Sequence, residues 1–477
     1  MKTLIILLLF SISLFSQIIH NQAAFITSQC YTKTVDTNGK KHNPCYSCHT
    51  NAKIPNYMSD EDIQESYAFA EYATKNRWTN LFKDRTNLVQ KISDKEILDY
   101  IKTDNYKNLK QRLQNLPKKW DLNHNGSWDG YLPDCYFNFD TNGFDRDEMN
   151  NITGWVAFKY RPFLGTFWPT NGSTDDVLIR LPKIFWLNSS GKIDLKIYTK
   201  NLIIVEDLVK QTKKHTSYMG LAKNKKLNIA LGLYPVGTEF LHSVRYIQPT
   251  NQGVELSKRM KELRYAKKVS WSNYWEHQQI SDEEFKEKHD FPDRLSTYIY
   301  DGEYGISNKR GWFYQGFIED KQGELRPQNH EETLYCIGCH ASIGAITDST
   351  FAYPRKYAFG YWDKKGVKNV IDKNNEYLDY LKNNNHANEF RTNEEVYNKF
   401  FKNGKLKLQE ANKIKSDISY LLVPSKNRAL LLNKAYKIIV DEQSFIYGRD
   451  THVKPLSNVY QEVKQDESTQ LVPVTRE

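Results

Sequence analysis

Apolar and polar positions change rhythm along the chain. From Met58-Ser-Asp-Glu-Asp62 to about Lys75 the apolar residues recur at helical spacing, and Ser93-x-x-Glu96 has the form of a capping box before another helix. From Ile152 the pattern shortens. Ile152 to Tyr160, Val177 to Trp186, Ile193 to Val205 and Leu227 to Tyr246 are short apolar or alternating runs set between Gly, Pro and Asn clusters, which is strand chemistry. Helical spacing returns from Glu255 through Tyr274, with another capping box at Ser281-x-x-Glu284. Trp312 to Ile318, an Asp320-Lys-Gln-Gly323 turn and Leu325 read as a hairpin. The remainder to about Phe445 reads helical, with Thr392-x-x-Glu395 as a start signal, and the last twenty or so residues are polar and expected to lie loose.

The fold class this predicts is α+β, with mostly helical N- and C-terminal parts around a β-rich middle. The boundaries follow the changes of pattern: a leader at 1–24, a helical region at 25–116, an acidic loop and β-rich domain at 117–254, a helical connector at 255–300, a mostly helical region at 301–450 and a polar tail at 451–477.

Four of the six cysteines fall in two pentapeptides of one spacing, Cys45-Tyr46-Ser47-Cys48-His49 and Cys336-Ile337-Gly338-Cys339-His340. Two thiols separated by two residues can form thioether bonds to the vinyl groups of one porphyrin, and the histidine that follows then offers a nitrogen to the iron. Composition alone gives an expected count of about 0.002 such matches. A redox dithiol needs no trailing histidine. A shared zinc site is disfavoured by the roughly 290 residues between the pairs, because zinc ribbons and fingers keep their ligands close.

On these motifs the chain resembles a di-haem c-type cytochrome. The resemblance implies two covalent haems, with Cys45, Cys48, Cys336 and Cys339 as attachment points, His49 and His340 as proximal iron ligands, and the helical regions as haem domains. For the second axial position the candidates are Met219, Met260, His242 and His277. The function it implies is an exported electron carrier between redox partner proteins. The alternative is a peroxidase-like oxidoreductase with one open haem acting on peroxide or another small substrate, and a third reading is a redox sensor or surface-binding module. Di-haem cytochrome c peroxidases also carry two such sites, but closer together in sequence.

The compartment follows from the N-terminus. Met1-Lys2 is a short basic start, and Thr3 to Phe15 is an apolar run of signal-peptide length, too short to span a bilayer comfortably. Ala23-Ala24 offers a small-residue cleavage site, and a cut after Ser16 is the alternative. No cysteine directly follows the apolar run, which argues against a lipoprotein anchor; an uncleaved leader would tether the domain to the membrane. A periplasmic or extracellular location is expected. There Cys30 and Cys135, the two remaining cysteines, either form a disulfide or stay as buried thiols.

The segment Asp121-Leu-Asn123-His-Asn125-Gly126-Ser127-Trp-Asp129 places oxygen side chains at calcium-loop spacing, with Asp121, Asn123, Asn125 and Asp129 as the candidate Ca2+ ligands. Leu132 stands where an EF-hand has its bidentate glutamate, and the competing reading is a turn whose side chains bond their own backbone. The formal charge of +10 falls to about +5 once the leader and four haem propionates are counted, too mild to argue for nucleic acid. The mean hydropathy of −0.70 is that of a water-facing chain.

Overall fold

A computed structural model describes residues 19–35, 41–42, 61–157, 163–165, 173–338, 340, 347–350, 370–372, 375–383 and 393–470. The N-terminal part carries β1 (Thr34–Val35), β2 (Lys41–His42), α1 (Glu61–Glu65), α2 (Glu71–Thr74), α3 (Thr86–Lys91), α4 (Asp94–Lys102) and α5 (Leu109–Gln114). Next come β3 (Phe144–Arg146), β4 (Ile152–Val156), β5 (Phe163–Gly165), β6 (Ser173–Arg180), α6 (Leu195–Val209), β7 (Glu239–Thr250), β8 (Gly253–Lys268) and α7 (Tyr274–Asp290). β9 (Ile306–Ser307), β10 (Trp312–Glu319), β11 (Leu325–Pro327) and α8 (His330–Ile337) follow. The chain closes with α9 (Glu376–Asn383), α10 (Glu394–Phe400), β12 (Phe401–Lys402), β13 (Lys405–Leu406), α11 (Leu408–Asn412), α12 (Ser419–Leu422) and α13 (Lys426–Glu442).

The fold is α+β around one antiparallel sheet of nine strands, in the order β11-β10-β8-β7-β6-β4-β3, with β5 on β6 and β9 on β10. Side chains alternate between faces along a strand, and the register aligns them across the sheet. One face presents Phe240 and His242 from β7 opposite Ala266 and Arg264 of β8, then Tyr314 and Gly316 of β10. It supports the large cluster that holds Phe185, Tyr198, Tyr234 and Trp312. The other face presents Leu241, Leu263 and Phe317 to a second cluster with Trp120 and Trp155. Helices α4 and α13 cover the sheet through Ile97, Ile101, Tyr436 and Ile439, packed on Tyr246 and Ile318. Residues of α9 to α12 close a separate small core.

Several sequence expectations hold. Ser93 accepts the Glu96 N–H and caps α4. The hairpin of β10 and β11 turns where Asp320 Oδ1 accepts the N–H groups of Gln322 and Glu324, and Gly323 takes the left-handed φ of +81° there.

Others are corrected. The stretch predicted helical from Glu255 is mostly β8, because its charged residues are buried in the sheet and not solvated on one side of a helix. Arg259 meets Glu319 at 2.5 Å, and Lys261 lies over the rings of Tyr246 and Tyr436. The run from Ile193 to Val205 is α6, capped by Asp194; it is buried on most sides, so its apolar run lacks a clear period. Ser281 lies inside α7, whose capping box is Asn273 with Glu276. The 58–75 pattern breaks into α1 and α2. The tail as far as residue 470 is not loose: Val459 bridges to Thr32, Glu462 to Lys75 and Ser468 to Ser66, and Leu456, Val459 and Val463 are buried.

Candidate functional site

Helix α8 brings the second pentapeptide onto the sheet. Asn329 caps the helix reciprocally with Glu332. Tyr335 lies beneath two guanidinium groups, Arg449 at 4.8 Å and Arg264 at 5.8 Å from its ring centre. Both arginines meet the buried Glu262, with Arg264 Nε at 2.9 Å and Arg449 Nη1 at 3.0 Å. Burial alone would raise the Glu262 pKa, but the two cations outweigh it and hold the carboxyl down to about 2. Burial pushes the Cys336 thiol up, against the pull of the same arginines. The His340 ring stacks on Tyr314 and its Nδ1 pairs with the Thr350 carbonyl. Burial lowers its pKa to about 4, so it is neutral at physiological pH.

Beside this lies a second buried charge group. Lys268 Nζ meets Asp348 Oδ2 at 2.5 Å, His277 Nε2 lies 3.6 Å from Asp348 Oδ1, and the Tyr234 N–H donates to Asp348 at 3.0 Å. Asp348 and Ser349 both adopt left-handed backbone, at φ 52° and 55°. Asn308 holds this turn by donating to the carbonyls of His340 and Ser349.

At the N-terminal end of α8 is a cleft of about 170 Å³, walled by Trp120, Trp128 and Tyr300 and floored by Gln315, Gln328 and Thr333. Gly316 lines it, and a Cβ there would run into the Gln328 side chain; beside the cleft, a Cβ on Gly130 would meet the Glu303 carbonyl, Gln315 and Trp128. Gln328 is 4% exposed. Its Nε2 donates to Glu262 at 3.3 Å, whereas its Oε1 has no hydrogen-bond partner. The cleft and the Glu262 cluster are therefore joined through one side chain. Tyr300 stacks on His330, the first residue of α8, at 4.9 Å.

Of the residues singled out from the sequence, Cys45, Cys48, His49 and Cys339 lie outside the described residues. His242 stands across from Arg264 and interacts electrostatically with His340. Met260 is buried in the cluster on the opposite face, Met219 is fixed near α6 by its N–H to Asn201, and His277 is taken up beside Asp348. The calcium expectation is corrected. Asp121 accepts the N–H groups of Asn125 and Gly126, Asn123 accepts that of Asn125, and the amides of Asn123 and Asn125 both donate to Asp129. These oxygens serve the turn itself. Among the described residues no group of three or more His, Cys, Asp or Glu side chains is placed to hold a metal ion. The disulfide expectation is corrected too. No disulfide joins Cys30 and Cys135: Cys30 packs in the large cluster beside Thr27, while Cys135 is buried in the Trp155 cluster next to Asp145.

With this geometry in view, a family described as "-like lipoprotein" matches residues 14–368. A protein of Aquifex aeolicus (strain VF5), named "Uncharacterized lipoprotein", is 32% identical over 511 aligned positions, covering 91% of this chain and 86% of that protein. The chain belongs to this lipoprotein-like family. No solved structure matches it.

The membership overturns the cytochrome reading. The two covalent haems, the electron-carrier role and the peroxidase-like alternative fall with it, since neither the family nor the relative is described as a haem protein. The packing around the second motif agrees with the correction. Cys336 and Ile337 are buried in the large cluster, and Gly338 abuts the Phe25 carbonyl so closely that not even a Cβ fits. The export signal stands in its coarse form, that of an exported protein of the cell envelope. Among the described residues no helix is long and apolar enough to cross a membrane.

The cleft was not visible in the sequence because its walls come from segments near 120, 300, 315 and 330. Its local signals are the glycines at 302, 305 and 316.

Proposed function

We propose that this protein works outside the cytoplasmic membrane, periplasmic or extracellular, as a non-covalent binder of one small, uncharged, hydroxyl-bearing ring compound in the Trp120–Trp128–Tyr300 cleft. The observation that carries the reading is the cleft itself, ring-sized and lined by the aromatic side chains of Trp120, Trp128 and Tyr300 with Gln315, Gln328 and Thr333 beside them. The aromatic walls suit the apolar faces of a ring, and the Thr333 hydroxyl and Lys119 supply polar contacts at its edge. Size limits the ligand. A cavity of about 150 Å³ takes a benzene ring, so 170 Å³ admits one ring and not a drug-sized molecule.

Glucose and N-acetylglucosamine serve as probes, titrated against the full chain with ligand-observed NMR. At about −0.3 kcal/mol per heavy atom, a sugar of twelve heavy atoms gains about 3.6 kcal/mol, a Kd of about 2 mM. Trp128→Ala removes one aromatic wall and weakens that Kd about tenfold. Absence of binding by both probes, or equal binding by the variant, refutes the proposal.

A further inference from the structure

In a lipoprotein of the usual kind, cleavage just before a cysteine makes that residue the lipid-bearing N-terminus. The first cysteine here is Cys30. The structure uses the residues ahead of it as part of the core. The N–H groups of His20 and Asn21 donate to the Glu331 carboxylate in the first turn of α8, and the Tyr72 hydroxyl donates to the His20 carbonyl. Ala23 and Ala24 are 2% and 1% exposed. The Trp78 indole N–H donates to the Ile26 carbonyl at 2.9 Å, the Phe25 ring packs on Tyr298, and the Ser28 hydroxyl bonds Asp450. Cys30 itself lies inside a short 3-10 helix, Ser28–Tyr31, with its N–H bonded to the Thr27 carbonyl.

We propose that export processing leaves Ile19–Tyr31 intact, so that Cys30 is an internal thiol and not the lipidated N-terminus, and the Ala24–Phe25 bond is not the cleavage site. Each cut would strip the fold of buried contacts. A cut at Phe25 removes both buried alanines and the Glu331 contacts of His20 and Asn21. A cut at Cys30 also removes the carbonyl that Trp78 uses and the serine that Asp450 holds.

The test is the N-terminus of the full chain recovered from the envelope of an exporting bacterial host. No lysine or arginine occurs between Thr3 and Thr32, so the first tryptic peptide ends at Lys33 and reports the cut directly. The expected peptide starts at or before Ile19 and carries Cys30 in a form that iodoacetamide alkylates after unfolding. An N-terminus anywhere from His20 to Cys30, or a diacylglyceryl group on Cys30, overturns the proposal. Cys30→Ser provides the second arm: it is expected to mature to the same N-terminus in the same yield, whereas accumulation of its uncleaved precursor contradicts the inference.

Discussion

Replacing Glu262 by glutamine tests the electrostatics of the α8 face. Glu262 accepts from Arg264 at 2.9 Å, Arg449 at 3.0 Å and Gln328 at 3.3 Å. Its carboxyl sits near 2 against an ordinary 4.5. That gap corresponds to about 3 kcal/mol of folded-state stability. Because the folded pKa lies below the unfolded one, the contribution is complete above about pH 4.5 and is lost as pH falls toward 2. Glutamine mimics the protonated form and leaves the buried Arg449 without its counter-ion, so Glu262→Gln is expected to lose about 3 kcal/mol at neutral pH. Urea unfolding followed by tryptophan fluorescence, on both proteins from neutral pH downward, measures the difference. His340, with its pKa lowered by burial, also withdraws stability as pH falls from 6.5 toward 4, but it does so in both proteins and cancels. The predicted result is a constant gap at neutral pH that closes below about pH 4.5. A gap under about 1 kcal/mol at neutral pH, or one that persists unchanged in acid, refutes the reasoning.

Asp348→Asn keeps a residue that tolerates left-handed backbone but strips Lys268 of its buried counter-ion. A loss of about 3–5 kcal/mol in urea unfolding is expected, and a neutral result shows that the Lys268 charge is compensated elsewhere. Gly154 combines a φ of +89° with direct packing beneath the Trp186 ring. Gly154→Ala therefore strains the backbone and displaces the indole, and a fall of about 3 kcal/mol or more is expected by thermal unfolding; an unchanged Tm contradicts the packing.

The legible parts of this chain were those in which local chemistry and final environment agree. Ser93 and the Asp320–Gly323 turn act through residues two to four positions away, so spacing suffices to find them. β8 was illegible because Arg259, Lys261 and Glu262 find partners on α13, β7, β10 and the segment at Arg449, and charge then ceases to mark the solvent side. α6 was illegible for the opposite reason: its apolar run Leu202-Ile-Ile-Val205 is continuous and most of the helix is buried. The pentapeptides show a different failure. Cys-x-x-Cys-His fixes which atoms can meet locally, but the surroundings of Cys336 and His340 are set by Arg264, Tyr314 and the Phe25 backbone, all remote in sequence. The calcium-like loop failed likewise, since spacing cannot say whether its oxygens face an ion or their own N–H groups.

The most direct test of ligand binding at the cleft is a map of the tryptophan indoles in 15N-labelled protein during titration with N-acetylglucosamine and with glucose. Trp120 and Trp128 line the cleft, whereas Trp78, Trp186 and Trp312 lie in a different core cluster. Saturable shifts of the Trp120 and Trp128 indole N–H signals, with those of Trp78, Trp186 and Trp312 unmoved, are the predicted result. Shifts at none of the indoles with either sugar, or only at the core ones, contradict the account.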